Sequence, residues 1–130
     1  MRLVLAVALG SAVGGVARFL LSAWIEQRTA SSFPYGTLLV NVSGSLLLGF
    51  LATWTFETAG VSAELRALLT TGLCGGYTTF STFSLETVAL AEEGALGRAA
   101  VYVLLSVACS VLAAFAGITG ARQLAMLRAR

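Results

Sequence analysis

Apolar residues run almost unbroken along four stretches of this chain, and the polar residues inside them fall at helical spacing. The stretches cover residues 3–24, 35–56, 65–90 and 99–118. Each is at or above the roughly 20 residues that a helix needs to cross a bilayer. The gaps are short. Gln27 to Pro34 is polar, and Pro34 suits a helix start because its missing N–H is not needed there. Glu57 to Glu64 contains Gly60 and Ser62, and Glu92 to Gly97 contains Gly94, so both should turn. From Arg122 the tail should continue as a basic helix carrying Arg128 and Arg130. Trp24, Tyr35, Trp54 and Phe56 fall at the ends of spans, where aromatic belts sit. The pattern predicts an all-α membrane protein with four transmembrane helices in one domain over residues 1–130.

Polar positions within the spans form lines. Thr37, Asn41 and Ser45 recur every four residues in the second span, and Tyr102, Ser106 and Ser110 do so in the fourth. Positions four apart share one helix face. The first span carries a line of small residues instead, Ala6, Gly10 and Gly14, which lets backbones approach and ends at Arg18. The third span holds Gly75-Gly76-Tyr77-Thr78-Thr79-Phe80-Ser81-Thr82-Phe83-Ser84. Two adjacent glycines weaken a helix, so a glycine break is expected there. Inside lipid, broken backbone is tolerated only where protein or a wet cavity covers it. A break rich in donors therefore marks a permeation or ion-binding site.

Composition narrows the field. The hydrophobic share is 58% and the charged share 11%, too apolar for a soluble domain of 130 residues. All eight basic residues are Arg, all six acidic residues are Glu, and there is no His. A net charge of +2 gives no footprint for nucleic acid. Cys74 and Cys109 lie in apolar runs with no second ligand type beside them, and are expected to be small buried hydrophobes. Met1-Arg2 followed by Leu3 to Leu9 looks like the start of a signal peptide, but no cleavage site follows, so a retained first helix is expected. The side with both termini and the middle loop holds Arg2, Arg66, Arg122, Arg128 and Arg130. The other side has Arg28 and Arg98, with Arg18 further in, which places both termini in the cytoplasm.

The polar lines donate hydrogen bonds, which favours an anion. Asn41 is the sharpest case, because an amide without a partner in hydrocarbon costs several kcal/mol. Phe80 and Phe83 are three apart and share a face, and the edge of a phenyl ring carries positive quadrupole. Arg18 is either a fixed positive charge near a mouth, or an end charge that snorkels or binds carbonyls. Glu86, one turn past Phe83, either faces a vestibule or snorkels. Four helices form a bundle whose core side chains fill, so a pore is expected at a subunit interface and the protein as a dimer. Paired breaks would also bring freed carbonyls together, good ligands for a hard cation such as Na⁺.

Together these residues resemble the CrcB/Fluc family of fluoride channels. The resemblance is carried by Gly14-Gly15 with Arg18, and by Gly36-Thr37-Leu38-Leu39-Val40-Asn41 with Gly44 and Gly49. It continues through Gly75 to Ser84 and on to Tyr102, Ser106 and Ser110. The resemblance implies an antiparallel, dual-topology homodimer in the bacterial inner membrane, with two fluoride pores. It implies a structural Na⁺ at the dimer interface, held by the backbone carbonyls of Gly75 and Thr78. It implies ring edges from Phe80 and Phe83, an ion-positioning role for Asn41, and a polar track of Tyr102, Ser106 and Ser110. Thr79 is a further lining candidate, and Thr37, Arg18 and Glu86 complete the expected pathway. An Arg imbalance of five to two works against dual topology, unless the tail arginines insert too late to count or a second, opposite subunit exists.

A rival is a proton-coupled small multidrug exporter, also of four helices and dimeric. It needs a carboxylate at mid-membrane, and Glu86 is its candidate. An intramembrane enzyme is not expected, because no His, Asp or activated thiolate is present. A noncatalytic assembly subunit would need the polar lines only for packing.

Overall fold

The computed structural model describes residues 1–29 and 31–128, with the side chain of Arg128 outside the description. The expected tail charge at Arg130 also lies outside it. Every regular element among the described residues is helical. Helix α1 is Arg2–Thr29, α2 is Tyr35–Glu57, and α3 is the short Ala63–Ala67. A π-helical stretch, Leu68–Cys74, leads into α4, Gly75–Tyr77. Helix α5 is Phe80–Glu92 and α6 is Leu96–Arg128. Helices α1, α2 and α6 are each long and apolar enough to cross a membrane.

Local chemistry explains the ends. Pro34 directly precedes α2, and its carbonyl accepts from Leu38 N–H at 3.2 Å. Ser62 caps α3 by accepting from Leu65 N–H at 3.1 Å. Helix α5 closes on Gly94, whose φ of 77° suits glycine, with Ala95 N–H bonded to Leu90 O and Gly94 N–H to Ala91 O. Gly60 turns the α2–α3 link in the same left-handed region, at φ 84°.

The third expected span is composite, built from α3, the π-helical stretch, α4 and α5. Its break does not fall on the glycines. Gly75 and Gly76 lie within α4, and the extended residues are Thr78 and Thr79. Gly76, and Gly72 before it, allow close approach to α1. A Cβ on Gly76 would stand 2.6 Å from Ser11 O, and one on Gly72 would stand 2.9 Å from Val7 O. Gly10 and Gly14 meet the backbone of Leu68 and Leu73 from the α1 side. The small-residue line on α1 thus packs against the π-helical stretch and α4. Helices α2 and α6 pack likewise, Gly49 under the Ala114 carbonyl and Gly117 under that of Leu46.

Helix α1 outruns its expected span, and the expected tail helix is continuous with the fourth span in α6. At 33 residues α6 is about 50 Å long, well beyond a hydrocarbon core of about 30 Å. Its extension runs beside the end of α2, where Arg122 Nε lies 3.7 Å from Glu57 Oε1. The pair is exposed, so its stabilising effect is small. Helix α1 continues to Thr29, where Arg28 stacks on Trp24 at 4.3 Å.

Candidate functional site

The site is organised by the Thr78–Thr79 interruption. Its extended backbone, with ψ 158° at Thr78 and φ −150° at Thr79, would leave polar groups bare in an apolar surround. Asn41, from the middle of α2, meets both groups of Thr79. Its Nδ2 donates to Thr79 O at 3.0 Å, and Thr79 N–H donates to its Oδ1 at 2.8 Å. The Thr79 hydroxyl then caps α5, accepting from Thr82 N–H at 3.2 Å.

These bonds divert two helical donors. In an unbroken helix Thr79 N–H would close on Gly75 O, and Thr82 N–H on Thr78 O. Here Asn41 takes the first and the Thr79 hydroxyl takes the second. The Gly75 and Thr78 carbonyls are therefore released from the helical ladder.

On one side of the break lies a cavity of about 280 Å³. Asn41, Ser45, Phe80, Phe83, Ser106 and Ser110 line it, with Thr78 and Thr79 at the break. The polar lines of α2 and α6 thus face each other across the Phe pair. Phe80 and Phe83 are in contact, with centroids 5.4 Å apart, but differ in exposure. Phe83 is 8% exposed and Phe80 77%, so Phe80 projects from the helical bundle. Ser106 is 5% exposed, and its Oγ is buried without a hydrogen-bond partner.

On the other side a cavity of about 290 Å³ is lined by Arg18, Ser22, Glu26, Thr37, Thr82 and Glu86, with Thr79 again in its wall. Arg18 Nε is buried there without a hydrogen-bond partner. Glu86 lines this cavity and is held in place. Its Oε1 accepts from the Thr37 hydroxyl at 2.8 Å, and its Oε2 from the Tyr102 hydroxyl at 2.6 Å. Tyr102 is fully buried, held between Phe33 and Phe83 at centroid distances of 5.5 and 5.2 Å.

Each polar line is therefore divided by the break. Asn41, Ser45, Ser106 and Ser110 belong to the Phe cavity, while Thr37 and Tyr102 converge on Glu86. Thr79 touches both cavities. Ser22 and Glu26 were missed as lining residues, although they follow Arg18 at intervals of four on the same α1 face. Ser45 sits in the expected α2 line and also lines the Phe cavity. Phe33 gave no sequence signal, since its contact with Tyr102 joins the segment just before α2 to α6 across all the elements between them.

Comparison with known proteins places this geometry in context. The family model described as "CrcB-like protein, Camphor Resistance (CrcB)" matches residues 5–118. A fluoride-specific ion channel FluC of Rhizobium meliloti (strain 1021) is 49% identical over 115 residues, covering 88% of this chain and 92% of that protein. One from Agrobacterium fabrum (strain C58) is 46% identical over 118 residues, covering 91% and 94%. One from Geobacter sulfurreducens is 47% identical over 124 residues, covering 95% and 100%.

Proposed function

The chain belongs to the CrcB family, and from that premise we propose that it is a passive, fluoride-selective channel of the inner membrane, built as an antiparallel homodimer. The observation that carries the reading is the Phe cavity with its unpartnered buried Ser106 hydroxyl. A buried donor without an acceptor is costly, and a small anion supplies one. Ser110 and Ser45 extend the donor track, and the edges of Phe80 and Phe83 offer positive quadrupole in place of lost water. Thr79 joins the two cavities, and Arg18 gives the vestibule a positive charge. Thr37, Tyr102 and Glu86 form a hydrogen-bonded gatepost beside that path.

Two observations support the dimer. Phe80 projects from the protomer although the cavity needs its ring. Gly75 is exposed, has an ordinary helical backbone, and a Cβ there would meet nothing nearer than Thr70 O at 4.0 Å. Nothing within one chain crowds position 75, which leaves its backbone open to close approach from outside. A second copy across a twofold axis satisfies both. Opposite orientation of the copies follows the family resemblance.

Such a twofold would bring released Gly75 and Thr78 carbonyls together from both copies. Neutral carbonyl oxygens suit a hard monovalent cation, so the donor set fits Na⁺. The ion would hold the two breaks together and supply fixed positive charge beside the pathway.

The physiology is electrodiffusion. Hydrogen fluoride crosses lipid as a neutral acid and ionises inside the cell. An inside-negative potential of roughly 100 mV is worth about 2.3 kcal/mol per charge. At about 1.4 kcal/mol per decade, a passive pore sustains an outward gradient of nearly two decades. No catalysis is proposed. The exporter reading is not favoured: its carboxylate, Glu86, is held by two hydroxyls. The test is fluoride release from liposomes carrying the pure protein, read with a fluoride electrode against a chloride control.

A further inference from the structure

We infer that the hydroxyl pair Tyr77–Ser43 sets the spacing of the Gly75 and Thr78 carbonyls, and so how tightly, and how selectively over K⁺, this protein holds Na⁺. The inference rests on the sodium reading above.

Helix α4 is the last turn of a continuous helical run from Ala63, and it ends freely at the extended Thr78, so its tip is fixed sideways only by what it packs against. Its placement comes from its neighbours. Gly76 is pressed on Ser11 of α1. On the opposite side the Tyr77 ring lies across Gly44 of α2, where a Cβ would stand 2.9 Å from Cδ1. The ring runs on to Ser43, and the two hydroxyl oxygens are 3.0 Å apart. Ser43 donates its own proton to Leu39 O at 2.7 Å. Tyr77 is therefore the donor in the pair.

Helix α2 thus grips the interruption at both ends. Ser43 holds Tyr77 just before the break, and Asn41 holds Thr79 within it. Thr78 lies between the two anchors, and Gly75 is in the same three-residue helix as Tyr77. Loosening the Tyr77 anchor would let the tip of that run shift against α2, and both carbonyls lie at that tip. Cages of carbonyl oxygens distinguish cations by the number, field and spacing of the dipoles. A looser cage would bind Na⁺ less well and reject the larger K⁺ less firmly. Tyr77 is half-buried and bonded to the bundle, which sets it apart from the aromatic residues at span ends. Its role is positioning: it acts on the ion through the carbonyls.

Tyr77→Phe keeps the ring over Gly44 and removes the hydroxyl, and Ser43→Ala removes the acceptor. The purified full-length protein is unfolded by heat across NaCl and KCl titrations at constant ionic strength, balanced with choline. Expected is a wild-type protein stabilised by Na⁺ more than by K⁺. Each single variant should raise the half-saturating Na⁺ by about three- to tenfold, the effect of one neutral hydrogen bond. The double variant should do no more than either single, and the Na⁺–K⁺ difference should narrow in all three. Fluoride-over-chloride flux at saturating Na⁺ should hold its wild-type ratio. Singles with wild-type half-saturation, or effects that add in the double, overturn the anchor while leaving the sodium reading intact. A wild-type protein indifferent to Na⁺ overturns the sodium reading, and this inference with it.

Discussion

Asn41 and Thr79 bond each other twice, the side-chain amide of one matching the backbone amide of the other at 3.0 and 2.8 Å. One side chain thereby satisfies a residue that the chain has taken out of its helix. The same contact leaves the Gly75 carbonyl without its helical donor and places Asn41 in the wall of the Phe cavity. Asn41→Leu would strand both Thr79 groups. At about 1–3 kcal/mol for each unsatisfied group, we expect roughly 2–6 kcal/mol of destabilisation and loss of fluoride flux. Asn41→Asp keeps the acceptor but replaces the donor with a negative charge, and should also abolish flux. Liposome efflux and thermal unfolding read the two effects, and full activity in either variant would remove Asn41 from the site.

Phe80 and Phe83 separate structure from permeation. Phe83 is 8% exposed, so Phe83→Ile should cost about 1–3 kcal/mol through altered core shape. Phe80 is 77% exposed within the protomer, so Phe80→Ile should leave the protomer's fold almost unchanged. Both should abolish fluoride flux while size-exclusion chromatography still shows a dimer. Undiminished flux in either variant contradicts a role for its ring edge.

Ser106 offers the cleanest contrast. Its buried Oγ makes no well-formed hydrogen bond and lies beside the Tyr102 hydroxyl, so Ser106→Ala loses at most that weak contact and removes a buried polar group. Stability should hold or rise by up to about 1 kcal/mol. Fluoride flux should fall about tenfold if that hydroxyl donates to the ion as proposed. Lower stability with normal flux would mean that Ser106 serves packing.

The adjacent glycines should behave differently. Gly76→Ala sets a methyl 2.6 Å from Ser11 O, a backbone atom that can yield only if α1 and α4 separate. Destabilisation of about 1–3 kcal/mol is expected. Gly75→Ala meets nothing within its own chain closer than 4.0 Å. Its effect should appear in dimer stability and in the Na⁺ response, not in the protomer. Thermal unfolding with and without NaCl, together with the dissociation profile, distinguishes the two.

The sequence disclosed the long helices because α1, α2 and α6 are apolar over whole turns and carry their small or polar residues at intervals of four. It also disclosed that the third span is interrupted, but located the interruption wrongly. The entropic cost of glycine in a helix can be offset by packing, and here Gly72 and Gly76 pack backbone on backbone against α1. Thr78 and Thr79 leave the helix because Asn41, 38 residues away from Thr79, offers a better partner. That is tertiary information, absent from any local window. Glu86 was ambiguous for the same reason: its two hydroxyl partners come from α2 and α6, at separations of 49 and 16 residues. Ser22 and Glu26 could have been read from their spacing after Arg18, since the periodicity that marked the other lines also marks them.

The most direct measurement uses liposomes loaded with potassium fluoride and bearing the purified protein. They are diluted into low-fluoride buffer with Na⁺ present, and valinomycin opens the potassium path. The account predicts rapid fluoride release on valinomycin addition, and no matching release from vesicles loaded with chloride. Vesicles that keep their fluoride under that voltage, or that release both halides alike, would contradict it.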